Sequence, residues 1–393
     1  MFPPEFQLIL YCARSQPAAR PSKQHIDDFA IDWGKLLALA EQHCVRPLLL
    51  RSLKAACWDA VPPSVRLELE GFCKSNAQKN LLLAAELLRL LRSFNENEVP
   101  VVSFKGPILA EAVYDDLSLR EFCDLDLLIR VQDLAKAEDI LLACGYTAQF
   151  PDRDYRTAFL SYHGQYAFRR GQSDLWVDLH WQFSPDGVVF PLRAAEVWPR
   201  LIEETIADRT VPSLAHDDLA LFLAAHGTKE GWRSLLWLCD FAEFLRRYQD
   251  LDWIAILERA ARSHSSRQLL LAVELAAAML DAPAPAELLE KARNSSAVQS
   301  LARRAREGML LTSPKGNWEF RFGLDTHDKF LHRLLPIKAL LTTRTVGDHQ
   351  AMPLPKSLWG LYYLTRPFRL AGQIAKKVYP VRQSIRSEPS RET

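Results

Sequence analysis

At 393 residues, with 48% apolar and 25% charged side chains, the chain has the composition of a globular protein with room for about two or three packed units. Its 49 basic and 48 acidic side chains leave a formal net charge of +1, so the overall field gives no argument for long-range capture of nucleic acid or of an anionic membrane. Any such contact must be local. The seven cysteines are scattered and include no Cys-x-x-Cys pair, which argues against a disulfide frame or a zinc site and for a reducing compartment.

The opening MFPPEFQLILYCARSQ lacks a basic leader and a small-residue cleavage site, so no export signal is read there. The longest apolar run, LLLAVELAAAML, is too short to span a bilayer and contains Glu274. The expected location is the cytoplasm. From Phe6 to about Arg92, DWGKLLALAEQHCV and SNAQKNLLLAAELLRLLRSFNEN place apolar residues at helical spacing, and Pro62 and Pro63 separate successive helices.

The texture changes at Val99. VPVVSF reads as a short strand ending in Lys105-Gly106, and PILAEAVYDD reads as a helix with Pro107 at its first position. REFCDLDLLIRV alternates and then becomes fully apolar, as a buried strand does, and VQDLAKAEDILLACGY is an amphipathic helix closing on Gly145. YHGQYAFRR and SDLWVDLHWQF, separated by Gly171-Gln172, predict an antiparallel hairpin. After Ser213 strand signals vanish, and successive amphipathic helices follow without a fixed repeat.

The fold class expected is therefore α+β and mostly helical: a small mixed sheet with flanking helices plus a C-terminal helical bundle. The boundaries read as 1–97, an N-terminal helical region; 98–200, the α+β core; 201–345, the bundle; and 346–393, a basic aromatic segment whose last dozen residues look disordered. Within that segment Lys356, Arg366, Arg369, Lys376, Lys377 and Arg382 interleave with Trp359, Tyr362, Tyr363, Phe368 and Tyr379. An amphipathic helix packed on its own bundle is the preferred reading. Peripheral contact through 356–382 with a membrane, RNA, a glycan carrier or a protein is the rival. No clear nucleic-acid signal is present.

The chemistry concentrates on carboxylates. Asp124 and Asp126 lie two apart in a predicted strand, so both leave the same face and repel one another unless a cation intervenes. Oxygen ligands near phosphate select Mg²⁺. Asp178, in WVDLHW, adds a third carboxylate from an adjacent strand, with His180 two residues on; three such groups match a two-metal phosphoryl-transfer site. A lone D-x-D is common on solvated sheet faces, and its setting is what raises it. Phe104-Lys105-Gly106 ends a strand and opens a helix, offering backbone N–H groups and a lysine to a triphosphate, although Pro107 removes one donor.

This order of elements resembles the DNA polymerase β-like nucleotidyltransferase superfamily. More closely, Lys105-Gly106, Tyr114 with Arg120, Asp124-Leu125-Asp126, Asp178-Leu179-His180-Trp181 and HGTKEGWRSLLWLCD resemble a bacterial family of uncharacterised nucleotidyltransferases, over roughly residues 98 to 245. The resemblance implies transfer of a nucleoside monophosphate from an NTP, with ATP expected, with Mg²⁺ in a two-ion site and release of pyrophosphate. The acceptor stays open between a small molecule, a sugar, a peptide and a protein. Asp124, Asp126 and Asp178 would be catalytic and hold metal. Lys105, Gly106, Arg120, His180 and Lys229 would face the nucleotide.

Each has a plainer alternative. Arg120 competes with a surface arginine near Asp115, Asp116 or Glu121; His180, a partner for Asp178 or an acceptor hydroxyl, with a structural histidine; His226, Lys229 and Glu230 with a solvated helix end. Asp240, set among apolar residues, needs a partner, with Arg233, Lys229 or His226 the candidates. The rivals for the whole chain are a non-catalytic nucleotide- or partner-binding protein that keeps the fold within a biosynthetic complex, and a helical scaffold.

Overall fold

The computed structural model describes residues 2–14, 26, 30–171, 175–185, 188–311 and 318–378. Helices α1 (Pro4–Ala13), α2 (Trp33–Gln42) and α3 (Arg46–Ala56) precede the 34-residue α4 (Pro63–Glu96). Asp32 caps α2 by accepting from the Lys35 amide, and α4 starts with a proline where no donor is lost. Leu83, Leu87, Leu90 and Phe94 form the buried stripe of α4.

Five strands form one mixed sheet: β1 (Val101–Ser103), β2 (Asp124–Ile129), β3 (Tyr146–Ala148), β4 (Gln165–Arg170) and β5 (Trp176–His180), in the order β1-β2-β5-β4-β3. Between β1 and β2 lies α5 (Gly106–Tyr114); between β2 and β3, α6 (Leu134–Ala143); between β3 and β4, α7 (Arg153–Phe159). The β2–β5 pair is parallel and every other pair in this sheet is antiparallel. The hairpin expected from YHGQYAFRR and SDLWVDLHWQF is present as β4 and β5. Its strand starts only at Gln165, because Ser161–His163 form a 3-10 turn, and Gln172 lies outside the described residues.

Strand alternation decides what each face does. Leu125, Leu127, Ile129, Val177, Leu179, Tyr166 and Phe168 point to one face and pack with α4 and α6. Asp124, Asp126, Asp178 and His180 are left on the other, together with Val102 and Leu128.

After the short helix α8 (Ala194–Val197), residues 201–213, expected within the bundle, instead form a two-stranded ribbon of β6 (Ile202–Ile206) and β7 (Arg209–Ser213). The turn between them needs left-handed backbone at both Ala207 and Asp208, and Ile206 and Val211 are buried while their neighbours are exposed. The bundle follows: α9 (His216–Lys229), α10 (Leu235–Arg247), α11 (Trp253–Arg262), α12 (Ser266–Leu280), α13 (Ala286–Asn294) and α14 (Ser296–Met309). The last described helices are α15 (Trp318–Asp325), α16 (Leu334–Thr342), α17 (Val346–Ala351) and α18 (Tyr362–Val378).

The N-terminal helices share one apolar core with this bundle: Phe6, Leu36 and Leu48 belong to the same cluster as Phe241, Leu271 and Leu301. Arg14 donates to the Met279 carbonyl and Ser234 to that of His43, tying the two ends together. The C-terminal segment packs on itself and on the α+β core: Tyr362 of α18 meets Phe159 of α7 at 5.7 Å and donates to the Met352 carbonyl, and Arg366 pairs with Asp348 of α17. Residues 379–393, with Tyr379, Arg382 and the expected disordered tail, lie outside the described residues. Among the described residues no helix is long and apolar enough to cross a membrane, and all seven cysteines are free thiols.

Candidate active site

The parallel register sets Asp126 directly beside Asp178, with Asp124 beside Trp176 and Leu128 beside His180. The ligand atoms of Asp126, Asp178 and His180 all lie within 4.8 Å of one another. His180 Nε2 is 2.9 Å from Asp126 Oδ1, so the histidine serves Asp126 across the diagonal of the ladder rather than Asp178, two residues before it on the same strand. The expectation that His180 orients Asp178 is corrected accordingly. Asp178 accepts instead from Gln165 Nε2 at 2.9 Å, on β4. Gln165 is the register partner of His180, so the alternation of QYAFRR carried the signal for it.

Lys105, immediately before α5, places Nζ 2.7 Å from Asp126 Oδ1. Burial opposes the lysine's charge, but Asp126, Asp124 and Asp178 outweigh it and hold its pKa above the ordinary value. Burial likewise works against ionised Asp126, and Lys105 with His180 overcomes it, holding that carboxyl well below the usual range. The two outer carboxylates are not compensated in this way. Burial, then the charge of Asp126, raises Asp124; burial, with Asp126 and Asp124 adding to it, pushes Asp178 up to about 6 despite His180 and Lys105. The face is short of positive charge.

Gly106 opens α5 with φ +58°, and a Cβ there would stand 3.1 Å from the backbone oxygen of Asp124. The glycine thus lets β1 turn into α5 against the first carboxylate strand. Its explanation lies in the protein's own backbone.

Arg120 is where the structure departs furthest from expectation. It does not lie on the surface: 6% exposed, it donates through Nε and Nη2 to both oxygens of Asp240, each at 3.0 Å, while its charge also favours ionised Asp124. Tyr114 Oη adds a third bond to Asp240 at 2.9 Å. The partner of Asp240 is therefore Arg120, not Arg233, Lys229 or His226. Asn76 and Asn80 of α4 donate to the Arg120 carbonyl, and Arg46 of α3 pairs with Glu121 at 2.7 Å. The segment that delivers Asp124 and Asp126 is clamped from three helices.

Helix α9 covers the carboxylate face. His226 stacks on Phe222 with ring centroids 5.5 Å apart, and burial, then the charges of Lys105 and Lys229, hold its pKa well below normal, so it is neutral. Lys229 pairs with Glu230 at 3.3 Å. Phe104 meets His180 edge-on at 5.2 Å.

The residues fit a divalent cation. Two carboxylates converge with an imidazole, a third carboxylate stands on the same face, and a lysine ammonium already occupies the cation's electrostatic role at Asp126. Asp124 lies outside the converging group, at the first position of β2.

A family model described as uncharacterised nucleotidyltransferase matches residues 30–281, a span that contains the carboxylates, Lys105 and the whole Arg120–Asp240 clamp. No curated protein matches the chain in sequence. The solution structure of the antibiotic-resistance factor ANT(2'')-Ia is similar over 47% of this chain and 91% of its own, at 14% identity and a TM-score of 0.34, a likeness too slight to carry an argument.

Proposed function

We propose, from the premise that this chain belongs to the uncharacterised nucleotidyltransferase family, that it moves a nucleoside monophosphate from an NTP to a hydroxyl acceptor. The observation that carries this reading is the side-by-side register of Asp126 and Asp178 on parallel strands, converging with His180 beneath a lysine. Asp126 and Asp178, with Asp124 at the strand entry, are the residues to hold Mg²⁺. Bound there, the ion supplies the positive charge that favours an attacking alkoxide and offsets charge on departing pyrophosphate.

The chain's own groups do the rest. The acceptor oxygen forms a bond to the α-phosphorus, the bond from that phosphorus to the bridging oxygen breaks, and pyrophosphate leaves. Asp178 is either the third ligand of that ion or the base that takes the acceptor proton, its carboxyl being raised to about 6 by burial and by Asp126 and Asp124 before any ion binds. Lys105 shares its charge between Asp126 and the phosphates, and the amides that open α5 after Pro107 offer donors to the triphosphate. Neutral His226 and the nearby Lys229 close the face from α9. Arg120 acts at a distance, by fixing the strand entry. ATP is the expected nucleotide.

The Lys105–Asp126 pair also favours a second reading, a nucleotide holder without turnover, because it neutralises Asp126 without any metal. Incubating the purified protein with Mg²⁺ and each NTP, with and without cell extract, separates them. Mg²⁺-dependent pyrophosphate release that is lost in Asp124→Asn/Asp126→Asn supports transfer. Equal background in both proteins under every condition refutes it, and tight NTP binding with that background supports the holder.

A further inference from the structure

We propose that the surface formed by α16 and α18 docks on an anionic phospholipid bilayer, which makes this a peripheral membrane protein. The inference stands apart from the proposed reaction. Of the 17 large apolar side chains exposed among the described residues, ten lie between Leu331 and Phe368, a tenth of the chain. Leu364 and Phe368, 69% and 80% exposed, sit one helical turn apart on α18, and Ala371 continues their face. The opposite side of α18 is fastened to the protein through buried Tyr362 and through Arg366 and Arg369, both on Asp348. Fixed on one side, the helix holds its apolar side outward.

Helix α16 lies against α18 and adds exposed Leu334, Leu335 and Leu341. Arg344 reaches across to Tyr363, 5.3 Å above its ring. The charge around this surface selects the occupant. Residues 329–378 contain nine lysines and arginines and one acidic residue, Asp348; Arg366 and Arg369 pair with Asp348, Arg333 with Asp325, and Lys356 with Asp152 and Asp154, so the basic groups beside the exposed leucines are Lys329 and Lys338, both exposed, and half-buried Arg344. Asp348 is buried and already neutralised, so this segment turns no negative charge outward. Exposed leucine, phenylalanine and tyrosine among basic residues, on helices too short and polar to span, form the pattern that inserts shallowly into an anionic interface. A neutral protein groove would complement the leucines and leave the basic excess unused.

Flotation of the full chain with vesicles tests this. The wild type is expected to float with mixed phosphatidylcholine–phosphatidylglycerol vesicles, to be released by high salt, and to stay down with phosphatidylcholine alone. Leu364→Asp/Phe368→Asp should lower the bound fraction at least about tenfold, from the apolar area lost. Its melting temperature should not change, because both side chains are exposed. Leu334→Asp, on the other helix, should weaken binding independently. Three outcomes overturn the proposal: no flotation of the wild type, unaltered flotation of the double variant, or a wild-type dimer in sedimentation that the double variant turns into monomer.

Discussion

The guanidinium of Arg120 lies along both carboxylate oxygens of Asp240, although 120 positions separate the two residues, and neither side chain is more than 7% exposed. A buried ion pair is weak evidence of net stabilisation, but breaking one partner leaves the other charge stranded. Arg120→Lys or Asp240→Asn is expected to lower the unfolding free energy by about 3 to 5 kcal/mol, lysine failing because it lacks the planar fork. The apolar double replacement Arg120→Met/Asp240→Leu should cost less than either single change. Urea denaturation checks this; single losses below about 1 kcal/mol would mean that the pair is not the clamp described.

A second prediction compares two glycines. Gly106→Ala forces a side chain into left-handed backbone 3.1 Å from the Asp124 oxygen and should destabilise by about 1 to 2 kcal/mol while displacing that strand entry. Gly71, inside α4 with nothing near its missing Cβ, should gain about 0.5 to 1 kcal/mol on the same substitution. Thermal unfolding of both variants distinguishes a positional demand from a general effect of glycine.

These residues show what was legible in the sequence. The aspartates and His180 were readable because period-two alternation fixes which side chains share a face, and the relevant strands proved to be neighbours. Asp240 announced that it needed a partner, but charge spacing along the chain pointed to Arg233, Lys229 and His226 because only local neighbours are visible there. Arg120 was read as phosphate-facing or superficial for the same reason. Gly106 was read as nucleotide-facing, and the structure adds a close approach to the protein's own backbone at Asp124 that spacing alone does not reveal. The β6–β7 ribbon was missed because its strands are five residues each and one contains Pro212. The union of the N-terminal helices with the bundle leaves no local pattern at all, since it depends on which apolar stripes meet.

Titration offers a third prediction. The folded-state pKa of Asp178, about 6, lies above the value of about 3.9 for an unfolded aspartate. Between these values the folded chain holds the extra proton, so this group's stabilising contribution is complete below about pH 4 and is lost as pH rises towards 6. Depressed imidazoles such as His226 push the other way, so the difference between wild type and Asp178→Asn isolates the contribution. The carboxyl carbon resonance should titrate near pH 6 without metal and at lower pH with Mg²⁺. A midpoint near pH 4 without metal would remove Asp178 from the role of base.

A fourth concerns Lys105. Replacing it with glutamine strips Asp126 of its nearest cation, leaving His180 alone on that oxygen. The metal-free variant should melt below the wild type. Mg²⁺ should raise its melting temperature by more than it raises that of the wild type, because the ion then replaces an absent charge rather than competing with one. Equal shifts would mean that lysine and metal act at separate places.

The central claim is that Asp126 and Asp178 hold a divalent ion against a nucleotide. Crystals grown with Mn²⁺ and a non-hydrolysable ATP analogue test it directly through the anomalous signal of manganese. The expected result is a peak bonded to one oxygen of each aspartate at about 2.1 Å, shared with the phosphates, with Lys105 moved off Asp126. Nucleotide bound with Lys105 still on Asp126 and no manganese at either aspartate would contradict it.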